Sequence, residues 1–277
     1  MRSAAIIVVG NEILSGTTTD TNSGWVARQI TGRGATVSQI VTIPDNIERI
    51  KSALAQSNAL SPDIIITLGG LGPTRDDRTL EAVADYAGVS VEESSEALAV
   101  VEQRYRELAK EGRVSDSTSQ ESLDARKKMA RFPAGAEALF NDVGAAPAMH
   151  LPLSGCGVLS LPGVPRELKS IVLNYTTHVF EKWIGSGAFR SVRVVTSTND
   201  ESALSGVLRD FDSQSPENTY AKSRPRRFGG DVRMNVTLSA RGKVREEVDS
   251  LLEDAQGTLV GLLGARNIEV LETNYDS

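Results

Sequence analysis

The sequence predicts an α/β fold with a mostly parallel sheet, followed by a smaller α+β unit. Three observations predict it. Short apolar runs closed by glycine or proline occur at "AAIIVVG" (residues 4–10), "TVSQIVTI" (36–43) and "DIIITL" (63–68). Stretches with apolar residues at helical spacing lie between them. The third run leads into a glycine-rich turn, "TLGGLGPTRDD" (67–77), and then into another helix-like run, "RTLEAVADYAG" (78–88).

Each element follows from its residues. "AAIIVVG" is continuously apolar, as a strand buried on both faces must be. "NSGWVARQITGRG" (22–34) sets Trp25, Val26 and Ile30 on one side of a helix, with Gly32 or Gly34 as its stop. "TVSQIVTI" is the next strand and ends at Pro44. "NIERIKSALAQS" (46–57) spaces Ile47, Ile50 and Leu54 as a helix does. "DIIITL" completes a strand–helix–strand–helix–strand series, which implies right-handed crossovers. Residues 91–131 read as charged and helical with no strand, most clearly at "SEALAVVEQRYRELAKEG" (95–112). "AEALFNDVGAAPAMHL" (136–151) and "GVLSLPGVP" (157–165) return to strands and turns. "PRELKSIVLNYTTHVFEKWIG" (165–185) is a closing helix with Pro165 in its first turn. "GSGAF" (185–189) reads as a linker between a domain over 1–184 and one over 190–277. The second holds strands at "SVRVVTS" (191–197) and "DVRMNVTLSA" (231–240), and helices at "DESALSGVLRDF" (200–211) and "KVREEVDSLLEDAQGTL" (243–259).

Composition excludes some classes of function. The 277 residues carry a net charge of −6, which argues against nonspecific nucleic-acid binding. Two histidines and one cysteine are too few for a structural zinc site, so a metal here would take oxygen ligands, as Mg²⁺ or Mn²⁺ does. No apolar run reaches the roughly 20 residues needed to span a membrane, and "AAIIVVG" lacks the flanks of a signal peptide. A cytoplasmic protein is the expectation.

The quoted turn carries the chemistry. A glycine-rich turn between a parallel strand and a helix lies at the carboxyl edge of the sheet, where ligands bind. Gly69, Gly70 and Gly72 allow close approach to the backbone. The helix start that follows favours phosphate. Neither G-x-G-x-x-G nor the Gly-Lys-Ser/Thr ending of a P-loop is present. Asp76 and Asp77 would repel a phosphate unless a cation stood between them, so the pair suggests a metal-bridged phosphate or pyrophosphate. Capping of the next helix by Asp77 or Thr79 is the alternative. Other strand ends feed the same edge: "GNEILSGTTTDTN" with Glu12, Ser15, Asp20 and Asn22, "IPDN" with Asp45, then "NDVGAAPAM" and "LPGVPRE". His150, His178 and Cys156 are expected to be structural.

Together, "GNEILSGTTTDTN", "IPDN", "TLGGLGPTRDDRTLEAVA", "NDVGAAPAM" and "LPGVPRELK" resemble the N-terminal domain of the CinA (competence/damage-inducible protein) family, over about residues 1–180. The resemblance implies a three-layer sandwich of the molybdopterin-binding type, a small KH-type domain after it, and a dimer or a trimer, with the homodimer expected. It implies two activities: divalent-metal-dependent hydrolysis of a nucleotide pyrophosphate, with ADP-ribose as substrate, or binding of molybdopterin without turnover. The ion would be Mg²⁺, Mn²⁺ or Co²⁺, with K⁺ a further candidate. Asp77 and Asp45 would be catalytic, and Asp77 and Asp76 would hold the metal. Glu12, Asp20, Asn22, Gly70, Gly72, Thr74, Asn141, Gly144 and Pro147 would contact the ligand. Against the usual family pattern, Ala145 and Ala148 replace a threonine and a glycine, and Asn46 replaces an aspartate. Longer family members end in a deamidase domain. This sequence stops at Ser277, so no deamidase activity is expected.

One basic stretch stands apart. "KSRPRRFGGDVR" (222–233) gathers Lys222, Arg224, Arg226, Arg227 and Arg233 around the turn "FGG". The G-x-x-G clamp of an RNA-binding KH module is missing there, so nucleic acid is not the expected partner. Lys222, Arg224 and Arg227 are expected to help hold the anionic ligand across a domain or subunit boundary.

Overall fold

The computed structural model describes residues 2–115, 119–228 and 231–275. In chain order the elements are β1 (Ser3–Val9), α1 (Asn11–Leu14), α2 (Asn22–Thr31), β2 (Thr36–Ile43), α3 (Ile47–Asn58), β3 (Ile64–Leu68), α4 (Thr79–Ala87), β4 (Val91–Glu93), α5 (Ser95–Lys110) and α6 (Gln120–Met129). There follow β5 (Arg131–Pro133), β6 (Glu137–Leu139), β7 (Ala148–Pro152), β8 (Gly157–Leu161), α7 (Pro165–Asn174) and α8 (Thr177–Trp183). The last six are β9 (Ala188–Thr196), α9 (Glu201–Gln214), β10 (Thr219–Phe228), β11 (Asp231–Gly242), α10 (Arg245–Gly264) and β12 (Val270–Tyr275). No helix among the described residues is long and apolar enough to cross a membrane.

The chain divides into two compact units, Met1–Ile30 with Ala35–Gly185, and Thr31–Gly34 with Ser186–Ser277. The larger unit is built on a six-stranded sheet in the order β2-β1-β3-β8-β7-β6. β2, β1, β3 and β8 are parallel, while β7 runs antiparallel to both of its neighbours, β8 and β6, so the sheet is mixed. Alternation along β1 sends Ala5, Ile7 and Val9 into one core and Ala4, Ile6 and Val8 into the other. Ile50 and Leu54 of α3, Val83 of α4 and Val101 of α5 fill the first core. Val26 and Ile30 of α2, Ile171 of α7 and Phe180 of α8 fill the second. Helices on both faces make the three layers.

Some expectations are corrected. Residues 91–131 do contain a strand: Val91–Glu93 pairs antiparallel with Arg131–Pro133. The closing helix is two helices, since the chain leaves helical geometry at Tyr175 and Thr176. The smaller unit has a four-stranded antiparallel sheet in the order β10-β11-β9-β12. With α9 and α10 this is the split β-α-β-β-α-β arrangement of ferredoxin-like folds. The expected KH-type fold is not confirmed. Val192, Val194, Val236 and Leu238 pack with Leu204, Val207, Phe211 and Leu259 of the helices in its single core.

Candidate functional site

The carboxyl ends of β1, β2, β3 and β8 share one edge of the sheet. The segments that follow them line a cleft of about 590 Å³. Glu12 follows β1, Asp45 follows β2, Gly69 to Asp77 follow β3, and Pro162 to Glu167 follow β8. Because β1 lies between β2 and β3, the strand order reverses here, and such reversal points open a crevice for ligands. Tyr105, Met129, Ala145 and Ala146 give the cleft an uncharged wall. A hollow of about 220 Å³ shares Gly70, Leu71, Gly72 and Asp77 and adds Lys128 and Arg131.

The turn after β3 is held by its own atoms. Gly69 has φ +104, and a Cβ there would stand 2.4 Å from the Val9 carbonyl oxygen. The Thr79 hydroxyl donates to the Gly69 carbonyl at 2.8 Å, and a Cβ on Gly70 would meet that hydroxyl at 2.2 Å. These two glycines therefore serve the turn's packing, whatever approaches from the cleft. Gly72 differs, since its Cβ would lie 2.6 Å from Asp77 Oδ2.

The Thr74 amide donates to Asp77 Oδ2 at 2.8 Å. The Thr74 hydroxyl oxygen lies 2.5 Å from Asp76 Oδ1 and 2.6 Å from Asp77 Oδ2. A hydroxyl has one proton and an ionised carboxylate has none, so two acceptors compete for one donor. The Thr74 hydroxyl bond holds the Asp76 carboxyl below the usual carboxylate range. The alternative, capping of α4 by Asp77 or Thr79, is not found: the cap residue is Arg78, with no side-chain cap bond.

Lys128, near the end of α6, supports this turn. Its Nζ donates to the carbonyl oxygens of Thr74 at 2.5 Å, Asp77 at 2.6 Å and Gly72 at 3.4 Å. Burial lowers its pKa, opposed by the nearby Asp77 and Asp76. Sequence reading missed Lys128 because its partners are more than fifty positions away.

Two more carboxylates that line the cleft are raised by burial. Asp45 Oδ2 accepts from the Asn11 amide at 2.8 Å. Burial still raises its pKa, and Glu12 and Asp76 add repulsion. Glu167, in the first turn of α7, is also raised by burial, with an opposing hydrogen bond from Asn141. Asn141 is fully buried. It donates to Glu167 Oε2 at 2.7 Å and to the Ala146 carbonyl at 2.8 Å, and accepts from the Val143 and Gly144 amides. A Cβ on Gly144 would stand 2.2 Å from the Glu167 carboxyl carbon, and Arg104 Nε holds the Gly144 carbonyl at 3.0 Å. Asn141 and Gly144 thus position Glu167. The sequence held this residue in "LPGVPRELK" but did not single it out.

Other expected residues stand elsewhere. Asp20 Oδ1 accepts from the Asn22 and Ser23 amides at 3.0 Å each, fixing the start of α2. Asn22 donates to the Gly163 carbonyl at 2.7 Å and so holds a turn that lines the cleft. Pro147 is buried and not among the lining residues. Asn46 accepts from the Arg49 amide and caps α3, a role that an aspartate would fill equally well. On β10, Lys222 and Arg224 fall on one face and Arg227 on the other, because side chains alternate. The expected trio is therefore split, and Arg226 joins the first two instead. Gly229 and Gly230 of the basic turn lie outside the described residues.

Glu137, His150 and His178 bring possible ligand atoms within 4.8 Å of one another. The Trp183 indole N–H donates to His150 Nε2 at 2.9 Å. His150 must then carry its proton on Nδ1, which faces Glu137 Oε2 at 3.2 Å. Neither ring nitrogen offers a lone pair to a metal. Burial pushes the Cys156 thiol up to about 11, so it is no nucleophile at neutral pH.

Residues 5–182 match the family model described as "Probable molybdopterin binding domain". The chain belongs to this family. A curated protein of Pyrococcus furiosus is 39% identical over 250 residues, 89% of this chain and 94% of its own length. One of Thermococcus kodakarensis is 33% identical over 248 residues, 90% of this chain and 95% of its own length. The crystal structure of the protein CinA with unknown function from Thermoplasma acidophilum has a TM-score of 0.55 and 31% identity. That match covers 66% of this chain and 99% of that one. The chain is thus a CinA-related member of the molybdopterin-binding family, and every cleft residue named above lies within the matched span.

Proposed function

We propose that the cleft binds a phosphorylated pterin of the molybdopterin class, with a divalent cation linking the phosphate to Asp76 and Asp77. The observation that carries this reading is the single Thr74 proton between two carboxylates at the head of the glycine turn. A cation of the Mg²⁺ type removes that conflict and lets a phosphate sit beside acidic groups. Family membership points to the pterin. The wall of Tyr105, Met129 and Ala145 suits a flat ring. Glu167 stands where a carboxylate can accept from ring N–H groups. Calorimetric titration of the protein with molybdopterin, with and without Mg²⁺, tests the reading. Binding that strengthens with the ion supports it, and no binding in either condition overturns it.

A second reading is metal-dependent hydrolysis of a nucleotide pyrophosphate such as ADP-ribose. It is favoured by the raised pKa of Asp45 and Glu167, which suits proton transfer nearer neutral pH. Release of AMP from ADP-ribose with Mg²⁺, Mn²⁺ or Co²⁺, abolished by Asp77→Asn, would replace the binding reading.

A further inference from the structure

The smaller unit packs both helices on one face of its sheet, and β10 forms the sheet's edge. Ala221 lies in the core and Ser223 bonds Glu201 of α9, so these residues point to the helices. Alternation then puts Tyr220, Lys222, Arg224 and Arg226 on the opposite face. All four are exposed, Tyr220 by 53%. Their cross-strand partners on β11 are Ser239, Thr237, Asn235 and Arg233, so no carboxylate stands opposite the cations. Arg193 pairs with Thr237 from the next strand and extends the positive charge. The centre of the sheet, at Val195 and Asn235, is buried. The accessible band therefore runs along β10.

We propose that this row is a track for single-stranded nucleic acid. Alternate residues of a strand are about 6.7 Å apart. That spacing is comparable with the distance between successive phosphates of an extended single strand, so Lys222, Arg224 and Arg226 meet consecutive phosphates. Tyr220 stands at the end of the row as a surface on which a base stacks. Charge on an edge strand also prevents pairing between sheets, but that purpose does not require one sign. Here every charged residue of the row is cationic, in a chain whose net charge is −6.

The test uses the full chain and fluorescein-labelled oligouridine, oligothymidine and a duplex of the same length, followed by anisotropy. Oligouridine affinity is expected to fall as salt rises, with a log–log slope of about −2 for about three phosphates at about −0.7 each. Arg224→Glu combined with Arg226→Glu should lower affinity at least about tenfold and flatten that slope, while Arg224→Lys with Arg226→Lys should retain most of it. Tyr220→Ala should weaken binding about fivefold or more with the slope unchanged. Tighter binding of oligouridine than of oligothymidine assigns the track to RNA, and the reverse assigns it to DNA. The proposal is overturned by no binding at low salt, by equal affinity of the double-glutamate variant, by preference for the duplex, or by anionic vesicles that bind with the same dependence on Arg224 and Arg226.

Discussion

The ammonium of Lys128 donates to the carbonyl of Thr74 at 2.5 Å, across 54 positions of sequence. With its bonds to Asp77 and Gly72, it fixes the turn that carries both aspartates. Lys128→Met keeps the stem and removes the donor. Loss of charged hydrogen bonds should cost about 1.5–3 kcal/mol in urea melts, and Mg²⁺ affinity should fall with it. Full retention of Mg²⁺ affinity in a calorimetric titration would separate the lysine from the site.

Asp77→Asn should behave differently. The amide oxygen of asparagine can still accept from the Thr74 amide, and no cap on α4 is lost. Stability should therefore change by less than the cap cost of about 1 kcal/mol, while Mg²⁺ binding disappears. A large stability loss with Mg²⁺ binding intact would make Asp77 a structural residue.

Two glycines of the same turn should separate stability from binding. Gly70→Ala meets Thr79 Oγ1 in a residue with φ +71, so it should destabilise by more than about 1 kcal/mol. Gly72→Val has no such backbone strain, but its Cβ displaces the Asp77 carboxylate. It should lower cation affinity with a smaller effect on the melting temperature. Equal effects of the two substitutions on both measurements would contradict this division.

Glu167→Gln tests the buried carboxyl. A pKa raised by burial means that the folded chain holds a proton more readily than the unfolded one. The stability linked to Glu167 is then present at acid pH and lost as pH rises through its raised folded value. Glutamine cannot ionise and can still accept from Asn141. It should raise stability at pH 7, make the acid-to-neutral profile flatter, and weaken ligand binding. Melts in metal-free buffer from acid to neutral pH read the first two outcomes, and lower stability at pH 7 would be the contrary result.

At His150 the sign is reversed. Its lowered pKa means that its contribution is present above about pH 6.5, the unfolded value, and is lost as pH falls through the lower folded value. Trp183→Phe removes the N–H that faces Nε2. The His150 pKa, followed by NMR, should then rise toward its ordinary value. No movement would leave burial, with the nearby Lys182 and His178, as the cause.

Much of this was legible in the sequence. Continuous apolar runs announced β1 and β3, and helical spacing announced α2 and α3. The glycine turn and its aspartates placed the cleft. β10 was hidden because Pro225 and four cations break the pattern of a strand, yet proline is tolerated on an edge. β4 and β5 are three residues each, too short for a period to register. Asp20 and Glu12 both looked like acids in one loop. Only the folded chain shows Asp20 spent on the α2 amides and Glu12 left facing the cleft.

β1 is apolar on both faces, and this leaves its alignment without the usual guard. In a strand with one wet face, a slip of one residue would bury polar side chains and expose apolar ones. Here a slip would merely trade Ile6 for Ile7 between the two cores. Polar latches at the two ends must choose the register instead. Asp63 accepts from the Ser3 amide at 2.8 Å and from Arg2 Nη1 at 2.5 Å at the start. The Gly10 amide donates to the Ile43 carbonyl at 3.1 Å at the finish. The height at which Glu12 meets the cleft is thus set at both ends of the strand, including Asp63 on the far side of the sheet.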